Sequence, residues 1–421
     1  MADVYAIANG NWSDPAIWSG STVPGTADNV WLNGKTITLD QDISVASLSS
    51  EANATLGTVA GGTLDIPSTY STRTITASGD IKQGGTTYLI TVTNSTVLTI
   101  TATTLLSSDT GSQGTIRITN GGAFQITVNA TVVARNVVVF DHPGTTTSSL
   151  VIQGDVFSIG PSYAISTYAR ALGNIVINGN VKNGGIRHSD YGLFTINGNV
   201  ISEAGLASLN PIEVGGGGGV KSITINGNVI AGPLPAITLN SANTTMSCVI
   251  NGNVTGGSAN GAPGILVAGM PTGNSLKVNG DVYNGSGANS PGIFAKVDIF
   301  GSVFVNGNLK VSSLTDPATP SVSVPRLTIS NAQTRYIEHW EGDISTGQPT
   351  GNKLIFETNI NASQANPADV RQGVVYGPAG EYTGTCAVPP PQSVAYGVPV
   401  DNTVGQAGLP PYRAVAEYRG G

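Results

Sequence analysis

One short phrase recurs through the middle of this 421-residue chain and limits what it can fold into. It reads Ile152-Gln153-Gly154-Asp155-Val156, Ile177-Asn178-Gly179-Asn180-Val181 and Ile196-Asn197-Gly198-Asn199-Val200. It returns as Ile225-Asn226-Gly227-Asn228-Val229, Ile250-Asn251-Gly252-Asn253-Val254 and Val278-Asn279-Gly280-Asp281-Val282. A weaker copy, Ile299-Phe300-Gly301-Ser302-Val303, is followed closely by Val305-Asn306-Gly307-Asn308-Leu309. The glycines at 154, 179, 198, 227, 252, 280 and 301 lie on average about 24.5 residues apart.

A period of that size signals a solenoid, propeller or array. Propeller blades need about 40 residues, and no helical period lies between copies as a leucine-rich repeat requires. Three short strands and three turns per copy fit one rung of a parallel β-helix, with variable intervals absorbed by loops. Antiparallel hairpins turning at Asn-Gly are the alternative, but hairpins would place that dipeptide about every 10 residues. The expected fold is therefore all-β, a right-handed parallel β-helix with an N-terminal cap and a small β-rich C-terminal region. Ile and Val point inward. Asn178, Asn197, Asn226, Asn251, Asn279 and Asn306 stack as a structural ladder at the rung spacing of about 4.8 Å. Gly is expected to supply positive φ at the corner.

Composition agrees. Only 43 residues are charged (18 Lys+Arg, 25 Asp+Glu) and 56 are Gly, which disfavours helices. With 39 % hydrophobic residues and a net charge of −7, a core is affordable and charge-driven disorder is excluded. An acidic chain lacks the clustered Lys/Arg that nucleic acid requires, and no apolar run of membrane-spanning length occurs. The start, Met1-Ala2-Asp3-Val4-Tyr5-Ala6, carries no basic-then-apolar stretch, so no signal peptide is expected. Cys248 and Cys386 are not in metal-ligand spacing.

Residues 30–150 read as earlier, less regular rungs, with strands expected at Leu89–Val92, Val97–Thr101, Thr115–Ile118 and Val132–Phe140. Ser312–Pro325 reads as a boundary. Residues 326–360 carry strands at Leu327–Ile329 and Leu354–Thr358. In the tail, Val370-Arg371-Gln372-Gly373-Val374-Val375-Tyr376 recurs as Val394-Ala395-Tyr396-Gly397-Val398-Pro399-Val400. The expected divisions are a cap with first rungs (1–70), the coil (71–311), a C-terminal β segment (326–360) and a Pro/Gly-rich tandem tail for assembly or docking (361–421).

Asn11-Trp12-Ser13-Asp14-Pro15-Ala16-Ile17-Trp18, Val23-Pro24, Asp28-Asn29-Val30 and Gly34-Lys35-Thr36-Ile37 together resemble the opening of G8-type β-helix proteins. That resemblance implies entry into a right-handed β-helix from its N-terminal end, and no particular reaction. Trp12, Trp18 and Trp31 are expected to plug the first rung. Asp369–Val388 and Ser393–Thr403 resemble tail pieces of tailed-bacteriophage virion proteins, which are released by lysis.

Chemistry on such a scaffold needs paired carboxylates, or a base beside Arg or Lys, on neighbouring rungs. Residues 174–230 offer Arg187, His188, Asp190, Glu203 and Glu213. His188-Ser189-Asp190 are consecutive, so an extended chain sends them to alternate faces. Glu338, Trp340 and Glu341, with Asp343, make the best candidate for glycan contact, joining a ring to acids. Gly215–Gly219 lacks the Lys and helix of a phosphate loop. Asp155 and Asp281 read as ladder members in place of Asn. No catalytic, metal or cofactor residues are assigned. The expectation is a non-enzymatic structural virion protein: a fibre, spike or capsid-decorating homotrimer whose partners are other virion proteins and a host-surface glycan. A polysaccharide-cleaving tailspike and a bacterial surface adhesin are the alternatives.

Overall fold

A computed structural model of the chain describes residues 2–67, 69–85, 88–93, 97–107, 116–119, 123–134, 138–140, 148–158, 163, 165–167, 174–188, 192–203, 210–215, 221–240, 246–269, 274–287, 290–295, 302–305, 307 and 309–310. Beyond these it describes the short segments 322–323, 328–329, 335–340, 353–358, 375–376, 382–383, 385, 399–400 and 403–404.

Within residues 1–357 the described chain winds as a parallel β-solenoid, nearly all strand, with only a short 3-10 turn at Pro15–Ile17. A typical rung has three strands. Asn174–Ile177 leads through Asn178-Gly179-Asn180 into Val181–Lys182, and Ile186–His188 follows. The next rung repeats this as Gly192–Ile196, Val200–Ile201 and Ile212–Gly215. Each strand pairs parallel with its equivalent one rung on: Ile177 with Ile196, Val181 with Val200, Ile186 with Ile212. First and second strands of the rungs belong to one 23-stranded sheet, and third strands to a 15-stranded sheet. Parallel pairing between copies excludes the hairpin alternative.

Parity dictates the core. In Lys221–Ile225 alternate residues Lys221, Ile223 and Ile225 are buried, and the same alternation holds in Met246–Ile250. Successive rungs thus stack Ile177, Ile196, Ile225, Ile250 and Val278 in one buried column. Val181, Val200, Val229, Val254 and Val282 form a second, and Ile186, Ile212, Ile237, Ile265 and Ile293 a third. Burying each such side chain contributes about 2 kcal/mol.

Where the Asn-Gly corner is missing, the corner is missing structurally too. Val97–Ser107 and Gln125–Ala134 each run as one long strand along both positions of the sheet, with a register irregularity between Thr101 and Thr104. Ala130 occupies the place that Gly154 takes in the next rung.

The glycines at the corner play a different part from the one expected. Among the described glycines with positive φ, none belongs to the column Gly154, Gly179, Gly198, Gly227, Gly252, Gly280 and Gly307. A Cβ on Gly179 would stand 2.3 Å from the Gly154 carbonyl oxygen, and one on Gly198 would stand 2.2 Å from that of Gly179. Close approach of stacked backbones selects glycine here, not left-handed conformation.

At the start, Trp12 and Trp18 are buried and meet edge to face, their ring centroids 4.8 Å apart. The Trp18 indole N–H donates to the Trp12 carbonyl oxygen at 3.0 Å. Trp31 departs from the expectation of a third core tryptophan. In Asn29–Trp31 only Val30 faces the core, so parity turns Trp31 outward, half-buried and in register with Tyr5.

The sheets continue past Ser312–Pro325. Thr328 pairs with Phe304 and Ile329 with Val305, while Arg335–Trp340 joins Val322–Ser323. Residues 358–421 form a separate unit. In it each tandem copy carries one antiparallel hairpin: Val375–Tyr376 with Tyr382–Thr383, and Pro399–Val400 with Thr403–Val404.

Candidate functional site

Two side-chain ladders flank the glycine column. On the outer one, Asn178 Nδ2 donates to Gln153 Oε1 at 2.8 Å and Asn197 to Asn178 Oδ1 at 2.6 Å. Asn226 donates to Asn197, Asn251 to Asn226 and Asn279 to Asn251, each at 2.7 Å. Asn306 lies outside the described residues. On the inner ladder, Asp155 Oδ1 accepts from the backbone N–H of Asn180, Asn180 Oδ1 from that of Asn199, and Asn199 Oδ1 from that of Asn228. Asn228 serves Asn253 in the same way, and Asn253 serves Asp281. Asp155 and Asp281 therefore act as ladder members. Each residue of these two ladders is hydrogen-bonded to a neighbouring rung, so the corner ties successive rungs together.

The polar constellation that stacking assembles lies on the 15-stranded sheet. Arg187 and Glu213 occupy register partners on adjacent rungs, flanked by the core positions Ile186 and Ile212. Arg187 Nε stands 3.7 Å from Glu213 Oε1. The Tyr163 hydroxyl donates to Glu213 Oε2 from a ring that is almost fully buried. One rung further, Asn210 Nδ2 donates to Thr238 Oγ1 at 2.7 Å, and Thr238 is the register partner of Glu213. A fixed carboxylate beside a half-exposed guanidinium, with amide and hydroxyl neighbours, is suited to hydrogen-bonding the hydroxyls of a sugar.

The other residues picked out by the sequence scatter. Glu203 lies with Lys182, at 3.5 Å, and accepts from Asn183 Nδ2 at 3.3 Å. His188 is in register with Val214, a core position, and Asp190 lies outside the described residues. Hence Arg187 and Glu213 come together, whereas Glu203 does not join them. Glu338 is in register with Ser323, and Trp340 ends the same strand, Arg335–Trp340. Their side chains and the whole of Glu341 lie outside the described residues. Trp12 and Trp18, being buried, offer no platform to a sugar. Among the described residues no group of three His, Cys, Asp or Glu side chains is placed to hold a metal ion.

Tyr163 was not legible as part of the site. It lies 50 residues from Glu213, and only the stacking of rungs of unequal length brings the two together.

Two buried groups complete the inventory. Lys221 is fully buried among the core residues, and its Nζ donates to the Gly215 carbonyl oxygen at 3.1 Å. Cys248 sits in the core column between Ile223 and Leu276, and burial pushes its thiol pKa up to about 12, so it is chemically quiet.

No protein-family model, curated protein or solved structure matches this chain.

Proposed function

We propose that this chain is a non-enzymatic structural protein of a tailed-bacteriophage virion, a fibre, spike or capsid-decorating protein that serves assembly or host-surface attachment. The observation that carries the reading is the unbroken in-register ladder from Gln153 to Asn279, whose repeated polar phrase is consumed in holding rungs together. The tail supports it, since the segments resembling phage tail pieces each contribute a compact hairpin. Outward positions on the first strands, including Val176, Thr195, Thr224 and Val249, are uncharged and β-branched, a surface suited to lateral association of three copies.

The second reading, a receptor-binding tailspike that cleaves polysaccharide, is favoured by the Tyr163, Arg187 and Glu213 constellation. Among the described residues that site holds a single carboxylate, whereas glycoside hydrolysis commonly needs two.

The test is incubation of the purified protein with host polysaccharide, with light scattering on the same sample. The reading predicts no oligosaccharide release and a mass of three times 42.7 kDa. Time-dependent depolymerisation that is lost in Glu213→Gln or Glu338→Gln would establish the tailspike instead, and a monodisperse monomer would count against the assembling rod.

A further inference from the structure

The three strands of a rung give the coil three outward faces, and among the described residues charge is spread unevenly over them. The outward file of the second strands carries Lys82 and Lys182, and that of the third strands carries Asp65, Arg117, Arg187 and Glu213. The first strands differ. Their middle outward file holds only Thr and Val over eight successive rungs, from Thr74 to Val249. The file on one side of it is uncharged from Val97 to Ser275. The file on the other side is the amide ladder. Charge returns at the two ends of the middle file. Lys277 follows Val249 in register, and Asp42 precedes Thr74, accepting from its backbone N–H at 2.8 Å.

This panel is large enough to matter. Rungs lie about 4.8 Å apart and same-face residues about 6.8 Å apart along a strand, so the panel measures about 20 by 38 Å, or about 760 Å². That is close to the roughly 800 Å² that one partner buries in a stable interface. It also leaves Leu193 56 % exposed and Val97 40 % exposed in a single chain.

Symmetry selects the face. Three parallel copies about a three-fold axis hold each residue at the same height as its two equivalents. A charged file turned toward that axis would set like charges side by side away from water, which is strongly unfavourable. Of the three faces, the first-strand panel alone avoids this among the described residues. Packed sheets stand about 10 Å apart, so side chains the size of Thr and Val can fill the space around such an axis.

We infer that this panel is the face that closes the trimer, an assignment that rests on the trimeric reading above. The Thr and Val file lies on the three-fold axis. The file containing Ser222 and Ser247 in one copy meets the amide ladder of the next, a heterologous contact that closes the ring. Asp42 and Lys277 mark the limits of the contact.

The test is light scattering of the full chain and three variants, each checked by circular dichroism for an unchanged strand signal. Thr195→Glu and Thr224→Glu place a carboxylate at two different heights of the middle file, where each points outward in the single chain. Both should shift the mass at neutral pH from three times 42.7 kDa to 42.7 kDa. Ile230→Glu, on the second-strand face at a position 38 % exposed, should leave the mass at three copies. A trimeric parent whose Thr195→Glu and Thr224→Glu variants stay trimeric, or whose Ile230→Glu variant dissociates, would overturn the face assignment and leave the trimer standing. A monomeric parent would overturn the trimeric reading and the face assignment together.

Discussion

Gly227 lies over Gly198 so closely that a Cβ on Gly227 would stand 2.2 Å from the Gly198 carbonyl oxygen. The obstacle is backbone, which cannot rotate away, so Gly227→Ala should cost about 3 kcal/mol, at the upper end of ordinary overpacking. Asn226→Ala beside it removes one hydrogen bond to Asn197 and one from Asn251 at an exposed position, and should cost only about 1 kcal/mol. Denaturant unfolding of the two variants should rank them in that order.

Tyr163→Phe removes the hydroxyl that donates to Glu213 from an almost fully buried ring. The expected loss is about 1 kcal/mol in thermal or denaturant unfolding. Arg187→Ala acts on a pair whose side chains are both partly exposed, and such pairs contribute at most about 1 kcal/mol. If the constellation contacts a host glycan, Arg187→Ala should weaken adsorption to host cells while the melting temperature stays close to that of the parent.

Asp65 lies on the outward side of the 15-stranded sheet, in register with Thr38 and Thr91. Partial burial raises its pKa above the ordinary carboxylate value by desolvation. A raised folded pKa means the native state holds the proton more tightly than the unfolded chain. The associated stability is present below the ordinary carboxylate value and is lost as pH rises through the raised one. Asp65→Asn should therefore stabilise the protein at neutral pH and remove that part of the pH dependence, which denaturant titrations at pH 3 to 7 would show.

The solenoid was legible because its cause is local and repeated: a polar Asn-Gly-Asn phrase between β-branched residues, returning at rung length. Residue type misled where parity decides. Trp31 looked like a core residue by size, but Val30 takes the inward position and leaves Trp31 outside. The glycine column was legible as glycine but not for its reason, since inter-rung distance leaves no mark on a single rung. Arg187 and Glu213 were both picked out from the sequence, yet their pairing and the arrival of Tyr163 depend on register across loops of unequal length.

Register is the claim on which the rest depends, and a disulfide measures it. Ser222 and Ser247 are partners on adjacent rungs, facing outward. In a Cys386→Ser background, Ser222→Cys with Ser247→Cys should oxidise to an intrachain disulfide, their Cα atoms lying about 4.8 Å apart. Buried Cys248, with its thiol pKa pushed up to about 12, should not interfere. Ser222→Cys with Val249→Cys is displaced by two residues along the strand, at about 8 Å, and should not close. Ready cross-linking of the first pair alone is the predicted result. Failure of that pair to close, or equal closure of both, would contradict the stacked coil.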